Sequence, residues 1–175
     1  MQKIAIIGNA GGGKSILAQE LGKALKIPVY EVDSIQWRPG WEPALAEEID
    51  IIHKTWIKQP AWVIDGWGNW DILKERFDKA DTLIFIDYAL WVHYWWATKR
   101  QVKTVLKRNP GWPPEGCNAL PVTWRLFRLI WLVHTDKRPE LIRLVDQYSD
   151  EKEVVHLRSP KEMEMFKQRM RIEDE

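Results

Sequence analysis

The chain has a single cysteine, Cys117, so no internal disulfide can form and a reducing, cytoplasmic compartment is expected. No apolar run is long enough to cross a bilayer. The opening residues Met1-Gln2-Lys3-Ile4 lack the apolar stretch and small-residue cleavage site of a secretory signal. The four histidines, His53, His93, His134 and His156, are scattered, which with one cysteine argues against a structural zinc site. A net charge of only +1 argues against a dedicated nucleic-acid module. No repeat or low-complexity tract is present. A chain of 175 residues suits one globular domain, 1–175, with a real core. Tryptophan is plentiful at 12 residues, more than a core of this size ordinarily uses, so some indoles are expected to face a ligand.

Hydrophobic patterning alternates between strand and helix. Ile4-Ala5-Ile6-Ile7 is a continuous apolar run, as in a strand buried on both faces. Similar runs are Val29–Val32, Ala61–Ile64, Thr82–Ile86 and Val154–Leu157. Helices are predicted over 14–25, 43–57, 90–108, 122–133 and 140–148, with a polar one at the end of the chain. In the second, Pro43 suits a first helical position, and Leu45, Ile49, Ile52 and Trp56 share a face. Residues 109–121 hold four prolines and two glycines and read as a loop. Strands separated by helices predict a three-layer α/β fold with a parallel five-stranded sheet. Its ligand would lie beyond the carboxyl ends of the strands.

The sharpest motif is Gly8-Asn9-Ala10-Gly11-Gly12-Gly13-Lys14-Ser15, which fits G-x-x-x-x-G-K-[ST] at every fixed position. Glycines let the backbone curl so that successive N–H groups point at phosphate oxygens, and the helix that follows adds its positive end. Lys14 would reach the β- and γ-phosphates and the Ser15 hydroxyl would ligate Mg²⁺, with Ile16 completing the loop-to-helix junction. Chance alone yields such an octapeptide in roughly one chain in a hundred of this length. Here it also falls between a predicted strand and a predicted helix, as the mechanism requires. ATP or GTP is therefore the expected cofactor, with Mg²⁺.

Phosphoryl transfer also needs an acid near the metal. Asp65 and Asp87 both end apolar strands, and spacing alone does not choose between them. Asp33 ends the second predicted strand at the same sheet edge; each of the three could equally cap a turn or helix. Between Lys99 and Arg143 the chain carries ten basic and three acidic residues, a local excess of +7. Lys99, Lys103 and Lys107 share a helix face, with Trp91, Trp95, Val102 and Val105 expected on the opposite one. This segment reads as a solvated face, as a basic lid over the phosphates, or as a polyanion patch. The Pro/Gly-rich loop inside it favours a lid spanning about 99–138.

The P-loop, "VYEVDSIQWRPGW" at 29–41, "WVIDG" at 62–66, "ADTLIFID" at 80–87 and "KRPELIRLV" at 137–145 together resemble the bacterial FlaR-like group, often labelled DNA topology modulation proteins. The resemblance covers nearly the whole chain. That group is similar in organisation to adenylate and shikimate kinases. It implies a sheet order of 2-3-1-4-5, Asp65 rather than Asp87 as the metal-side acid, and Asp33 as the acid that orients an acceptor. It further implies that Arg100 and Arg108, with Arg138, belong to the lid, and that Ser159-Pro160 lie near the nucleotide base. One departure is plain: adenylate kinases usually place an arginine soon after the third-strand glycine, and here no basic residue follows Gly66 before Lys74. Trp37, Trp41, Trp67 and Trp70 follow strand ends and are candidates to line an acceptor pocket; Trp56, Trp62, Trp91 and Trp95 are expected in the core.

The expectation is a small-molecule or nucleotide kinase that moves the γ-phosphoryl of ATP to a small acceptor, with no membrane partner. The alternative is a slow regulatory NTPase acting through a partner or nucleic acid. The sequence names neither the acceptor nor the oligomeric state.

Overall fold

A computed structural model describes residues 1–38, 42–105 and 123–170. Five parallel strands form the central sheet: β1 (Lys3–Gly8), β2 (Val29–Glu31), β5 (Trp62–Asp65), β6 (Thr82–Ile86) and β7 (Glu153–Leu157). Their order is β2-β5-β1-β6-β7, which along the chain is the expected 2-3-1-4-5. β1 is central, with Ile6 opposite Asp65 on one side and Gly8 opposite Ile86 on the other. The P-loop therefore leaves the sheet between the strands that end in the two candidate acids.

Alternate residues of β1 explain the layering. Ala5 and Ile7 belong to a core with Ile72, Leu73 and Phe77 of α4 (Trp70–Lys79) and Leu141 and Leu144 of α7 (Arg138–Asp146). Ile4 and Ile6 pack on the other face with Leu17 and Leu21 of α1 (Lys14–Leu25) and Met163 and Phe166 of α8 (Pro160–Arg169). Strand residues pointing to opposite faces at period two are buried on both sides, hence the unbroken apolar runs.

Three expectations about helices need correcting. The residues before α3 (Ala46–Ile57) form a short antiparallel ladder, β3 (Trp37–Arg38) with β4 (Glu42–Pro43), so Pro43 sits in a strand and not at a helix start. α3 turns His53 and Ile57 inward while Leu45 and Ile52 are exposed. In α5 (Leu90–Val105) the buried face is Val92, His93, Ala97 and Gln101. Trp91 and Trp95, expected in the core opposite the lysines, are 70% and 61% exposed, and Val102 is exposed beside them. Four-residue spacing puts Trp91, Trp95 and Lys99 on one stripe, and this helix buries a histidine because its inner face meets the carbonyl of a polar loop at Ala10.

α6 (Thr123–Leu132) continues through a π-helical turn (Val133–Lys137) into α7. Tyr94 of α5 meets α6, its ring edge-on to Phe127 and its hydroxyl donating to the Phe127 carbonyl at 3.3 Å. The loop expected over 109–121 and the end of the helix expected to reach 108 lie outside the described residues. No described helix is long and apolar enough to cross a membrane.

Candidate active site

Three elements converge on the loop 8–15 between β1 and α1. Gly11 has φ 74°, and a Cβ there would come within 2.7 Å of the His93 carbonyl of α5, so only glycine fits. The neighbouring Ala10 carbonyl can only accept, so the His93 Nδ1–H donates to it at 3.0 Å. Burial, with the Lys14 ammonium nearby, holds His93 down to about 4, so it stays neutral. Asn9 Nδ2 donates to the Ile130 carbonyl of α6 at 2.8 Å, and the Trp67 indole N–H donates to the Gly8 carbonyl at 2.9 Å. Lys14 is nearly buried and its ammonium donates to the Asn9 carbonyl at 3.1 Å.

Ser15, at the start of α1, donates its hydroxyl to Asp65 Oδ2 at 2.8 Å. Asp65 is 2% exposed; burial pushes its carboxyl up to about 6, with Lys14 and the Ser15 hydroxyl pulling down and Asp33 and Glu31 pushing up. The sequence motif and the strand-end acid are thereby brought into direct contact. Asp33 does not end a strand: it lies in the first turn of α2 (Val32–Gln36), after β2. A Cβ on Gly66 would come within 3.4 Å of its Oδ1, so Asp33 stands beside the turn that follows Asp65. Arg100, half-buried on α5, faces the same carboxylate, whose charge counters the downward pull of burial on the guanidinium. The carboxylate group at this sheet edge is therefore met by Lys14 on one side and Arg100 on another.

Asp87 is differently employed. Arg138 Nε donates to Oδ1 at 2.5 Å, Nη2 donates to Oδ2 at 2.9 Å, and His156 Nε2 donates to Oδ2 at 3.0 Å. Burial works against its charge, but the His156 and Arg138 hydrogen bonds outweigh it and hold the carboxyl below its ordinary range. Both oxygens are committed to cations, and Arg138 is drawn to Asp87. Arg108 lies outside the described residues. Ser159 caps α8, its hydroxyl oxygen accepting from Glu162 N–H, while Pro160 lines an open cleft of about 80 Å³ with Gly12, Gly13, Ile16, Tyr88 and Trp96. That cleft adjoins the P-loop on its α1 side.

Trp37 is exposed, Trp41 lies outside the described residues, and Trp67 and Trp70 stack at 6.4 Å with Lys137 over the Trp70 ring. Trp62 is fully buried. Two buried polar residues went unread in the sequence, His93 against the P-loop and Arg76 of α4, whose Nη2 donates to the Gly66 carbonyl at 2.8 Å. Each is a polar residue inside an otherwise apolar helical stripe, Val92-His93-Ala97 and Ile72-Leu73-Arg76-Phe77, and that intrusion was the available signal.

Ser15 and Asp65 offer hard oxygen donors of the kind Mg²⁺ accepts. Among the described residues no group of three or more His, Cys, Asp or Glu could cage a metal.

No family model and no curated protein matches the chain. Solved structures do. Shikimate kinase from Acinetobacter baumannii in complex with shikimate aligns at TM-score 0.56 and 11% identity, over 98% of this chain and 94% of that one. Shikimate kinase from Aquifex aeolicus aligns at TM-score 0.47 and 18% identity, over 95% and 92%. Deoxyadenosine kinase from M. mycoides aligns at TM-score 0.46 and 14% identity, over 96% and 98%. At such identities the likeness concerns the fold, and the first of the three, together with the observed strand order, carries it: this chain has the α/β architecture of the P-loop kinases.

Proposed function

We propose that the chain is a phosphotransferase that moves the γ-phosphoryl of ATP, or of GTP, to a hydroxyl group of a small acceptor. The observation that carries this reading is the 2.8 Å contact between Ser15 Oγ and Asp65 Oδ2 at the mouth of the P-loop, with Lys14 beside them. A Gly-rich loop alone binds phosphate; a loop hydroxyl touching a strand-end carboxylate makes the two-sided oxygen site that phosphoryl transfer uses.

In this reading Lys14 exchanges the Asn9 carbonyl for the β- and γ-phosphates, and the loop N–H groups from Ala10 to Ser15 cradle them. Mg²⁺ would sit at Ser15, with Asp65 ordering its water shell, and when bound would neutralise charge on the transferring group. Asp87 is a poorer partner for the metal because Arg138 and His156 already occupy its oxygens. Asp33 orients the acceptor hydroxyl and takes up its proton. Arg100 stands ready to stabilise the transferring phosphoryl, and Arg108 and Arg138 complete the basic lid, Arg138 after leaving Asp87. The base lies in the cleft beside Pro160, Tyr88 and Trp96. The lack of a basic residue between Gly66 and Lys74 points away from a nucleoside monophosphate acceptor. A resemblance to the FlaR-like group is compatible with all of this, and its label names a cellular effect and not a reaction.

A second reading, a slow NTPase working through a nucleic acid, is favoured by one surface. α5 and α6 carry Lys99, Arg100, Lys103, Arg125 and Arg128 and no acid, with Trp91, Trp95, Trp124 and Trp131 exposed. The two readings part in a screen of nucleosides, monophosphates and small hydroxylated metabolites, followed by ADP release. The kinase reading expects one acceptor to be phosphorylated far above bare hydrolysis. Hydrolysis unchanged by every acceptor, and stimulated by nucleic acid, would transfer the conclusion to the second.

A further inference from the structure

Arg76 is 0% exposed, deep in α4, and it makes no ion pair among the described residues. Its Nη2 donates to the Gly66 carbonyl at 2.8 Å, while Nε and Nη1 have no partner. The Asp65 carboxylate favours the Arg76 charge without forming an ion pair with it, and burying a guanidinium with no direct ion pair still costs several kcal/mol, so an apolar side chain of similar volume would fill the space more cheaply. Packing alone therefore gives no reason for a cation there.

The carbonyl it holds gives one. Residues 65–68 form a turn packed against the P-loop, α2 and α3. Asp65 accepts from Ser15. Gly66, at φ 101°, packs so closely on α2 that a Cβ would come within 3.0 Å of Val32 and 3.4 Å of Asp33 Oδ1. Trp67 donates to the Gly8 carbonyl of the P-loop. Gly68, at φ 84°, rests on the buried His53 ring, where a Cβ would lie 3.0 Å from Nδ1. Two left-handed glycines make this turn easy to deform. The Arg76 hydrogen bond to the Gly66 carbonyl fixes the peptide between Gly66 and Trp67, at the middle of the turn.

We propose that Arg76 is a positioning residue for phosphoryl transfer: it holds the 65–68 turn so that Asp65 stays on Ser15 and Trp67 stays on Gly8. It touches neither nucleotide nor acceptor. This inference rests on the kinase reading above, in which Asp65 serves the metal. A planar fork with a buried charge suits the task, because a charge-assisted bond to a carbonyl is stronger than a neutral one and its direction is fixed.

The test compares Arg76→Lys, Arg76→Met and Asp65→Asn with the unaltered chain. Four quantities are measured: folding by thermal melting, nucleotide affinity in EDTA, turnover, and the Mg²⁺ concentration for half-maximal turnover. Turnover is read with the acceptor found by screening, or as bare hydrolysis if none is found. Supporting groups behind a metal site typically change metal affinity or activity by about 10- to 100-fold when removed. Arg76→Met should therefore raise the Mg²⁺ requirement about tenfold or more, with nucleotide affinity in EDTA within about twofold. Arg76→Lys, which keeps the cation, should recover part of that loss. A merely structural arginine would lower the melting temperature of both variants and leave the Mg²⁺ requirement in place, and that result overturns the proposal. If Arg76→Met does not fold, Arg76→Lys decides alone: an unchanged Mg²⁺ requirement overturns the proposal and a raised one supports it. Should Asp65→Asn itself leave the Mg²⁺ requirement unchanged, the metal-site reading fails, and the proposal with it. A raised requirement in Asp65→Asn beside an unchanged one in Arg76→Met removes the proposal alone.

Discussion

At the scale of single residues the site is a balance of buried charges. Lys14 holds a loop carbonyl and no core group, and in the kinase reading it serves the ligand. Lys14→Ala should therefore fold normally and lose turnover by about a thousandfold or more, since its contact with the transferring phosphate is made chiefly in the transition state. Equal turnover and ATP affinity in a folded Lys14→Ala chain would sink the nucleotide site. Asp65 works against the fold that holds it. Its carboxyl rises from 3.8 to about 6 on folding, so its contribution to stability is full below pH 3.8 and is lost as pH rises through 6. Asp65→Asn keeps an acceptor for Ser15 and removes the buried charge. Without nucleotide, the Asp65→Asn chain is expected to be more stable than the unaltered one by about 3 kcal/mol at pH 8, with no difference near pH 3. Denaturant titrations at the two pH values measure this, and a destabilised variant at pH 8 contradicts it. The same variant should need more Mg²⁺ for half-maximal turnover, and Asp87→Asn much less so. Of these residues the octapeptide was legible because its spacing is dictated by a phosphate. Spacing did not separate Asp65 from Asp87, and only the resemblance favoured Asp65, because it takes the third dimension to bring Arg138 and His156 to Asp87.

At the scale of elements, neighbours decide what a helix buries. The expected inner face of α5 failed because apolar residues were equated with buried ones. The helix packs His93 and Ala97 against the P-loop backbone and leaves its indoles outside. α3 slipped for a related reason, its inward residue His53 being polar and supporting Gly68. The closeness of α5 to the loop has a measurable cost when disturbed. Gly11→Ala would need a left-handed alanine and would push its Cβ into the His93 carbonyl, so about 2 kcal/mol of stability should be lost, together with nucleotide affinity. Denaturation curves and an ATP titration check both halves, and normal affinity in the Gly11→Ala chain speaks against tight loop packing. Helix ends matter as well. The Lys152 ammonium donates to the carbonyls of Phe77, Asp78 and Ala80, closing the C-terminal end of α4 with a positive charge. Lys152→Met is expected to cost about 1 to 2 kcal/mol. No change in the denaturation midpoint would show that water serves those carbonyls equally well.

At the scale of the whole molecule the topology was readable almost entirely. Continuous apolar runs mark two-sided strands, and glycines after the first mark the ligand edge; the sheet order followed from the resemblance to small kinases and agrees with the observed pairing. The charge map is less even than its net of +1 suggests, since α5 and α6 carry cations without acids. Under the kinase reading this surface holds duplex DNA weakly at physiological salt and does so regardless of nucleotide. Anisotropy of a labelled duplex across a salt series tests it; each lysine or arginine contacting phosphate adds about one to the slope of log affinity against log salt. Tight, nucleotide-dependent binding that disappears in Lys99→Ala/Lys103→Ala would reverse the order of the two readings. At the centre of the fold, the indole of Trp67 is a chromophore tied directly to the backbone of the phosphate loop. In the kinase reading, filling the loop with phosphates is expected to shift that contact and with it the indole's emission. A chain whose exposed indoles are phenylalanine, compared with the same chain carrying Trp67→Phe, would isolate that signal and report occupancy of the loop by light alone, without a label and without knowing the acceptor.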